Sequence, residues 1–256
     1  MNASISFRRL LHATLAIAVC VSLHAVSVAQ EAKTNVDKSE KTEAKADDSA
    51  TEYAQRFDNQ VREDLFAGFG GDKKLLKSGM DKCEEVLKEN PKHAEALVWR
   101  GAARVFLSGE AFQKKDVING MKLWNTGLAD MDKAKELEPE NIGVLIPRAA
   151  VLLPAGRDAP AIMGKPVLKR VRDDFEQAYA RQKDFLDKLG EHPHGELRMG
   201  LADVYRLMGE SDKSKEQLEA LVKELPKSEY ADIAREWLKA PAEKKLAHSC
   251  IGCHSE

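Results

Sequence analysis

Apolar residues recur every three or four positions along most of this chain. From residue 52 to residue 240 the spacing stays near the α-helical period, and no stretch alternates apolar and polar residues as a half-buried strand does. The pattern therefore predicts an all-α fold for residues 52–240. At 256 residues, the chain is long enough for one helical domain or two small ones.

Three helical segments share one internal spacing. In the first, Gly79, Cys83, Val86 and Pro91 lie four, three and five residues apart. The small residue allows a neighbouring helix to approach closely, the large one fills the core, and the proline ends the helix because it lacks an N–H. The same spacing recurs at Gly127, Met131, Ala134 and Pro139, and again at Ser214, Leu218, Leu221 and Pro226.

This spacing resembles the second helix of a tetratricopeptide repeat, whose A-x3-F…P pattern follows a first helix with W-x2-L-G-x2-Y. NPKHAEALVWRGAARVF, residues 90–106, resembles such a first helix in two alternative alignments. The favoured one places Trp99, Ala102, Ala103 and Phe106 in the W, L, G and Y positions. The other places Leu97 and Gly101 in the W and G positions and leaves Arg100 and Arg104 where apolar residues belong.

The segment LADVYRLMGE matches the first-helix pattern with Leu201, Ala202 and Tyr205, and Gly209 follows as the turn. The resemblance covers about residues 75–240. It implies an α-solenoid of about three to four irregular tetratricopeptide-like helix pairs with a closing helix and a short C-terminal tail. In that family the repeats hold a protein or a peptide in a concave groove, so a groove-bound peptide is one expected partner.

Two stretches depart from the repeat pattern. About fourteen extra residues, near EAFQKKDVINGMKLW, separate the two helices of the second unit. The third unit keeps Pro193, but the positions before it hold Asp184 and Lys188, and its helix PVLKRVRDDFEQAYARQKDFLDKLG is longer than a repeat helix. We therefore expect the units to be irregular.

The segment KSEYADIAREWLKA, residues 227–240, predicts a closing helix with one apolar and one polar face, as the end of a repeat array requires. The expected inner face consists of Tyr230, Ile233, Ala234, Trp237 and Leu238, and the expected polar face of Asp232, Arg235, Glu236 and Lys239.

The N-terminal segment is typical of an export signal. Arg8 and Arg9 precede an uncharged stretch, and Ser27 and Ala29 form a small-x-small cleavage site, so we interpret residues 1–29 as a signal peptide. An uncleaved membrane anchor is the alternative. Residues 30–51 are charged and poor in apolar groups, which predicts a disordered linker. The protein is thus expected to be exported, periplasmic or extracellular, with no stable membrane span after cleavage.

Removal of residues 1–29 takes away Arg8 and Arg9 and changes the formal net charge from −2 to −4, which argues against nucleic acid or an anionic membrane as a partner. Once residues 1–29 are removed, three cysteines remain, and an odd, low number outside the cytoplasm does not indicate a disulfide framework. Cys83 lies at a core position of its helix and is expected to be a buried, inert thiol.

The tail, residues 241–256, ends in AHSCIGCHSE and contains a C-x-x-C-H run, the attachment motif of c-type haem. On a helix, Cys250, Cys253 and His254 share one face, so both thiols can reach the haem vinyl groups while the imidazole meets the iron. We expect one covalent haem c with His254 as proximal ligand. Zinc bound by His248, Cys250, Cys253 and His254 is the lesser alternative, and a redox dithiol is a third.

The C-terminal position of the motif resembles cytochrome c′, in which the helices come first and the motif closes the chain. By that analogy the haem rests on the closing helix and the last repeat, near Trp237 and Tyr205. Met199, Met208 and His248 are weak candidates for the sixth ligand, although both methionines fit equally as core residues. His192 and His194 flank Pro193 in what we interpret as a loop.

No nucleophile elbow, phosphate loop or other catalytic constellation is recognisable in the sequence. The favoured function is electron transfer by an exported haem protein with a docked redox partner. The alternative is a protein–protein interaction scaffold whose Cys/His cluster binds zinc or no cofactor. A haem enzyme or gas sensor is a third possibility, and an electron carrier or a scaffold is favoured over a catalyst.

Overall fold

A computed structural model describes residues 56–240 of the chain. The predicted signal peptide (1–29), linker (30–51) and C-terminal tail (241–256) lie outside these residues. The described part is all-helical, as predicted, with nine α-helices, one 3-10 helix and no strand. The α-helices are α1 Asp58–Phe69, α2 Lys73–Glu89, α3 Ala94–Gln113, α4 Val117–Leu137, α5 Ile142–Asp158, α6 Ala161–Gln182, α7 Glu191–Leu207, α8 Ser211–Glu224 and α9 Glu229–Lys239, and the 3-10 helix is Lys183–Lys188.

The predicted stop signals lie where the helices end. Helices α2, α4 and α8 end at Glu89, Leu137 and Glu224, each two residues before its proline, Pro91, Pro139 or Pro226. Several starts carry side-chain caps of the expected kind. The Asp72 carboxylate accepts hydrogen bonds from two backbone N–H groups of α2, at 2.9 and 3.1 Å, and the Ser228 hydroxyl caps α9.

Consecutive helices form side-by-side pairs, α1–α2, α3–α4, α5–α6 and α7–α8, while the odd-numbered helices also pack on one another from α1 to α9. The two helices of a pair run antiparallel because only two or three residues join them. The pairs therefore have two distinct ends. We call the end with the connections 70–72, 114–116, 159–160 and 208–210 the hairpin end, and α9 finishes there. The other end, with residues 90–93, 138–141, 183–190 and 225–228, is the linking end.

Small residues mark close contacts within all four pairs. In α1–α2, a Cβ atom added to Gly79 would lie 2.7 Å from the Leu65 side chain. A Cβ atom added to Gly127 would lie 2.8 Å from the carbonyl oxygen of Gly101, and one added to Gly164 would lie 2.2 Å from that of Gly156. In α7–α8 the Ser214 hydroxyl donates a 2.7 Å hydrogen bond to the backbone carbonyl of Ala202. Gly79, Gly127 and Ser214 thus all occupy the close-contact positions that the spacing predicted.

The favoured alignment of α3 was wrong about the small residue. Ala103 was expected at the closest contact, but Gly101 meets Gly127, as in the alternative alignment. The two arginines that this alignment leaves at apolar positions are neutralised by neighbouring helices. Asp130 of α4 accepts two 2.8 Å hydrogen bonds from Arg100 and one of 2.6 Å from Arg104. Both guanidinium groups also pair with Glu84 of α2.

The fourteen extra residues of the second unit lengthen both of its helices. Between Gly101 and Gly127 lie 25 residues, compared with 11 between Ala202 and Ser214. About seven residues are therefore added to each helix, and at 1.5 Å per residue the α3–α4 pair projects about 10 Å further beyond its crossing than α7–α8 does. The projecting tip is residues 114–118.

The interpretation of the third unit was partly wrong. The long helix ends at Gln182, and the 3-10 helix with Asp184 and Lys188 follows it. Pro193 does not follow a helix but lies in the first turn of α7, where a proline costs no hydrogen bond. The glycine of this pair is Gly164, which packs against α5 and which the sequence interpretation missed.

Two groups of buried side chains fill the interior. The larger group extends from α1 to α7 and the smaller one joins α7, α8 and α9. Most of the predicted inner face of α9 is confirmed, since Tyr230, Ala234 and Trp237 are buried, but Leu238 is exposed. None of the helices described between residues 56 and 240 is long and apolar enough to cross a membrane.

Candidate functional site

The predicted haem ligands Cys250, Cys253 and His254, and the alternative ligand His248, all lie outside the described residues. The structure does describe the surface from which their segment departs. The chain leaves α9 at Ala240, on the hairpin end of the pairs.

Trp237 occupies the last turn of α9 and is buried in the smaller core group with Met199, Leu218 and Leu221. The guanidinium group of Arg206, near the end of α7, lies over the Trp237 ring at 5.7 Å from its centre. An aromatic face covered by a cation is a favourable contact that fixes both side chains. The point where the tail begins is thus an ordered, partly apolar surface.

Tyr205, the second residue expected near the haem, belongs to the larger core group and faces α6. Its hydroxyl donates a 3.0 Å hydrogen bond to the Glu176 carboxylate, and the Lys213 ammonium group lies 5.0 Å from the centre of its ring. Burial and the bond to Glu176 raise the pKa of Tyr205 above its usual value. Tyr205 and Trp237 therefore belong to different core groups.

The two methionine candidates for the sixth ligand differ in exposure. Met199 is fully buried and packs with α8 and α9, so it fills the core in the described structure. Met208 is only partly buried and lies just after the last residue of α7, at the hairpin end. His248, the third candidate, cannot be compared with them because it lies outside residues 56–240.

His192 and His194 do not lie in a loop, as was predicted, but in the first turn of α7. The His192 ring hydrogen-bonds the Tyr230 hydroxyl at 2.8 Å. His194 is buried, and its Nε2 lies 2.8 Å from the carboxylate of Glu224 on α8. His192 thus links α7 to α9 and His194 links α7 to α8, so both histidines have a packing role.

A cleft of about 410 Å³ opens beside His194 at the linking end. Its polar wall is built by Arg198, which donates hydrogen bonds of 2.7 and 2.9 Å to Glu224 and one of 2.8 Å to Gln217. The guanidinium group also stacks over the ring of Tyr179. Arg198 is therefore held by the protein itself. The four-residue spacing of His194 and Arg198 on α7 was the signal that sequence interpretation overlooked.

A second, more apolar groove of about 270 Å³ crosses the odd-numbered helices. Its polar end is anchored by Asp58, which is buried and accepts a 3.1 Å hydrogen bond from the Trp99 indole. Glu95 accepts a 3.0 Å bond from the Asp58 backbone N–H. The sequence predicted a groove only through the family resemblance. The apolar lining of the groove across the odd-numbered helices includes Phe66, Ile142, Ile146, Pro147, Ala150 and Leu197.

Between residues 56 and 240 there is no group of three or more His, Cys, Asp or Glu side chains arranged to hold a metal ion. Cys83 is fully buried, as predicted, and burial raises the pKa of its thiol to about 12.

The chain matches no known protein family, no curated protein and no solved structure.

Proposed function

We propose that this chain is an exported helical-repeat protein that carries one covalent c-type haem on Cys250 and Cys253 and exchanges electrons with a docked protein partner. The observation that carries the proposal is the C-x-x-C-H run at residues 250–254, together with the export-signal pattern at residues 1–29. Covalent attachment of haem takes place outside the cytoplasm, so motif and compartment support each other. The haem iron supplies a reversible one-electron couple.

The proposed scaffold is an α-solenoid of irregular tetratricopeptide-like pairs closed by α9. Two findings support it: the odd-numbered helices pack in succession from α1 to α9, and a small residue lies at the close contact of each of the four pairs. In this proposal α9 covers the last pair, as a capping helix does in repeat proteins.

The tail limits where the haem can lie. Residues 241–249 connect Ala240 to Cys250, and at about 3.4 Å per residue they span at most about 30 Å. An exposed porphyrin would be a large apolar surface, which monomeric proteins seldom leave uncovered. We therefore propose that the haem lies against the hairpin end near Trp237, with Met208 the better placed methionine for the sixth ligand.

The test uses protein from a host able to attach c-type haem. After denaturation and extraction with acidic organic solvent, the haem should stay on the polypeptide. The double variant Cys250→Ala/Cys253→Ala should release it, and Cys83→Ala, the matched control, should retain it. Haem that leaves the wild-type chain, or two free thiols in the tail by mass spectrometry, would refute the proposal.

Trp237→Ala tests the position of the haem separately. If Trp237 forms part of the haem wall, the Soret band shifts and the melting temperature falls together. A lower melting temperature with an unchanged Soret band would place the haem elsewhere.

The second candidate function is a protein–protein interaction scaffold whose tail binds zinc or no cofactor. The observation that favours it is the groove across the odd-numbered helices, with its apolar lining and charged end. Metal analysis of protein from a host without haem attachment distinguishes the two. One zinc per chain that is lost in Cys250→Ala/Cys253→Ala would support the scaffold with zinc, and its absence would exclude zinc.

A further inference from the structure

Exposed aliphatic side chains concentrate at one end of the molecule. Among the described residues, six large hydrophobic side chains are exposed, and five of them lie at the hairpin end. The exception is Phe185, in the 3-10 helix at the linking end. Single exposed apolar residues need no explanation, but five at one end form a surface. They are Leu75 on α2, Val117 and Ile118 on α4, Ile162 on α6 and Leu238 on α9.

The strongest exposure is at the tip of the projecting α3–α4 pair. Val117 is 58% exposed and Ile118 is 87% exposed, in the first turn of α4. Lys115 just before them has φ 62°, a left-handed conformation that is unfavourable for a residue with a side chain. The turn thus holds two aliphatic side chains outward at the farthest point of this pair.

The neighbouring pairs repeat the arrangement. Ile162 is 85% exposed in the first turn of α6, and Leu75 is exposed in the first turn of α2. Lysines lie within three residues of each aliphatic group. The exposed lysines that form no ion pair within residues 56–240 include Lys74, Lys114, Lys115, Lys122, Lys165 and Lys169.

We propose that the hairpin end docks on an anionic lipid bilayer, with the aliphatic tips inserted at the level of the headgroups. Lysine stems extend along the apolar boundary while their ammonium groups contact the lipid phosphates, so lysine beside isoleucine suits this surface. The tips are separate and convex. A protein partner would need a pocket for each of them, whereas a bilayer accepts each tip without a prepared shape.

The net charge predicted the opposite, since −4 after removal of residues 1–29 disfavours an anionic surface. That argument averages over the whole molecule, while membrane attraction acts within about a Debye length of the contact. The hairpin end has exposed carboxylates too, at Asp72, Asp116, Asp158 and Asp212, but the six lysines named above outnumber them, whereas Glu136, Glu138 and Glu140 are exposed around the α4–α5 connection at the linking end. The local excess of lysine therefore favours contact of an anionic surface with the hairpin end.

Docking would also place the tail. Helix α9 ends at the hairpin end, so residues 241–256 depart beside the membrane-facing tips. If the chain carries haem, as proposed above, the cofactor would lie close to the bilayer and to a membrane-bound redox partner. The docking itself does not depend on the haem, and the experiment below is independent of it.

Co-sedimentation with vesicles tests the proposal, using protein purified after export. Binding should be detectable with vesicles of phosphatidylcholine and phosphatidylglycerol, weaker with phosphatidylcholine alone, and reduced by salt. Ile118→Asp should lower the partition coefficient about tenfold or more, because it removes an inserted aliphatic group and adds a repelled charge. Phe185→Asp makes the same charge change at the linking end and should have little effect.

The lysines provide a second measurement. Lys114→Gln/Lys115→Gln should lower the affinity for anionic vesicles about fivefold per lysine and leave binding to phosphatidylcholine nearly unchanged. Circular dichroism should show equal folding, because all these sites are exposed. Equal sedimentation of wild type, Ile118→Asp and Phe185→Asp would overturn the proposal. An absence of vesicle binding would also overturn the proposal. This holds even if light scattering shows that the wild type forms a dimer and that Ile118→Asp dissociates it.

Discussion

The helix pairs α3–α4 and α7–α8 achieve the same close crossing by different means. In α3–α4 two glycines meet, so the carbonyl oxygen of Gly101 occupies the space where a side chain of Gly127 would be. In α7–α8 Ala202 and Ser214 meet at the corresponding place, and a hydroxyl-to-carbonyl hydrogen bond of 2.7 Å bridges the gap. The α3–α4 crossing is possible because its two glycines have no side chains, whereas the α7–α8 crossing is bridged by the hydroxyl group of Ser214.

The residues around the two crossings differ as well. Arg100 and Arg104 flank Gly101, and they are balanced by Asp130 and Glu84. Leu201 and Tyr205 occupy the corresponding positions beside Ala202, while the adjacent Asp203 is buried and accepts a 3.0 Å hydrogen bond from Arg157 of α5. The comparison teaches that one backbone arrangement tolerates charged or apolar neighbours, provided that the contact position stays small and each charge finds a partner.

The largest effect is expected for Gly127→Ala. Its Cβ would lie 2.8 Å from the Gly101 carbonyl oxygen and 2.9 Å from a Val105 methyl group, and a backbone atom cannot move aside cheaply. We expect a loss of about 3 kcal/mol in the free energy of unfolding, at the upper end of overpacking costs. Gly109→Ala is the matched control, because nothing lies within 4 Å of its added Cβ.

In Gly109→Ala the added methyl should raise helix stability by about 0.5–1 kcal/mol. Denaturant titrations of both variants measure the difference. Equal shifts for Gly127→Ala and Gly109→Ala would show that the α3–α4 crossing is not sterically tight.

Asp130→Ala should have the next largest effect. Both arginines would keep only Glu84, which is itself 42% exposed, while their own side chains stay mostly buried. Removing one partner of a buried pair costs about 3–5 kcal/mol, and partial exposure reduces that here to about 2 kcal/mol. Glu136→Ala, which breaks the exposed pair with Lys133, should stay within about 0.5 kcal/mol. If Asp130→Ala lowered the free energy of unfolding by less than about 0.5 kcal/mol, water would have to replace the carboxylate.

The sequence could predict the helices and their ends because those depend on local chemistry. Apolar spacing, Asp72 and Ser228 as caps and the prolines after α2, α4 and α8 all act within a few residues. The contact positions Gly79, Gly127 and Ser214 were also predictable, since the three segments repeat the same spacing. These are the features that the structure bears out.

The alignment of α3 failed because apolar residues do not reveal which neighbour they face. Trp99 suggested a repeat position, but its ring packs on Phe66 at 5.7 Å and its indole N–H bonds Asp58, so it faces α1. Arg100 and Arg104 were counted against the correct alignment because their partners lie 16 to 30 residues away in sequence. Long-range ion pairing is not visible in a local pattern.

The candidate site also has a part that depends on local sequence and a part that depends on tertiary contacts. The haem motif is entirely local, so the sequence names Cys250, Cys253 and His254, and this stays a prediction because they lie outside the described residues. The surface beside the tail depends on tertiary contacts. Leu238 was placed inside by its helical position, yet it is exposed because it lies at the end of α9, the last helix among residues 56–240.

A smaller effect is expected at alkaline pH from Cys83, which lies on α2 where Leu218 lies on α8. Burial raises the pKa of its thiol from 9.0 to about 12 in the folded chain. The folded state thus keeps a proton that the unfolded state loses, so this contribution is complete below pH 9 and declines as pH rises towards 12. Raising the pH from 8 to 10 should cost about 1 kcal/mol more in wild type than in Cys83→Ala. An equal pH dependence in both proteins would show that the thiol is accessible.

The smallest effect is expected for Ser214→Ala, the counterpart of Gly127→Ala in the other pair. The crossing already accommodates a Cβ atom at residue 214, so the methyl group of alanine fits and only the hydrogen bond to Ala202 is lost. That carbonyl belongs to helix α7 and keeps its helical hydrogen bond, so no buried acceptor is left unpaired. A neutral hydrogen bond contributes about 1 kcal/mol, and the higher helix propensity of alanine returns about half of it. We therefore expect a net loss of about 0.5 kcal/mol by denaturant titration. A loss as large as that of Gly127→Ala would mean that the hydroxyl determines the distance between α7 and α8, and the two crossings would then be equally intolerant of change.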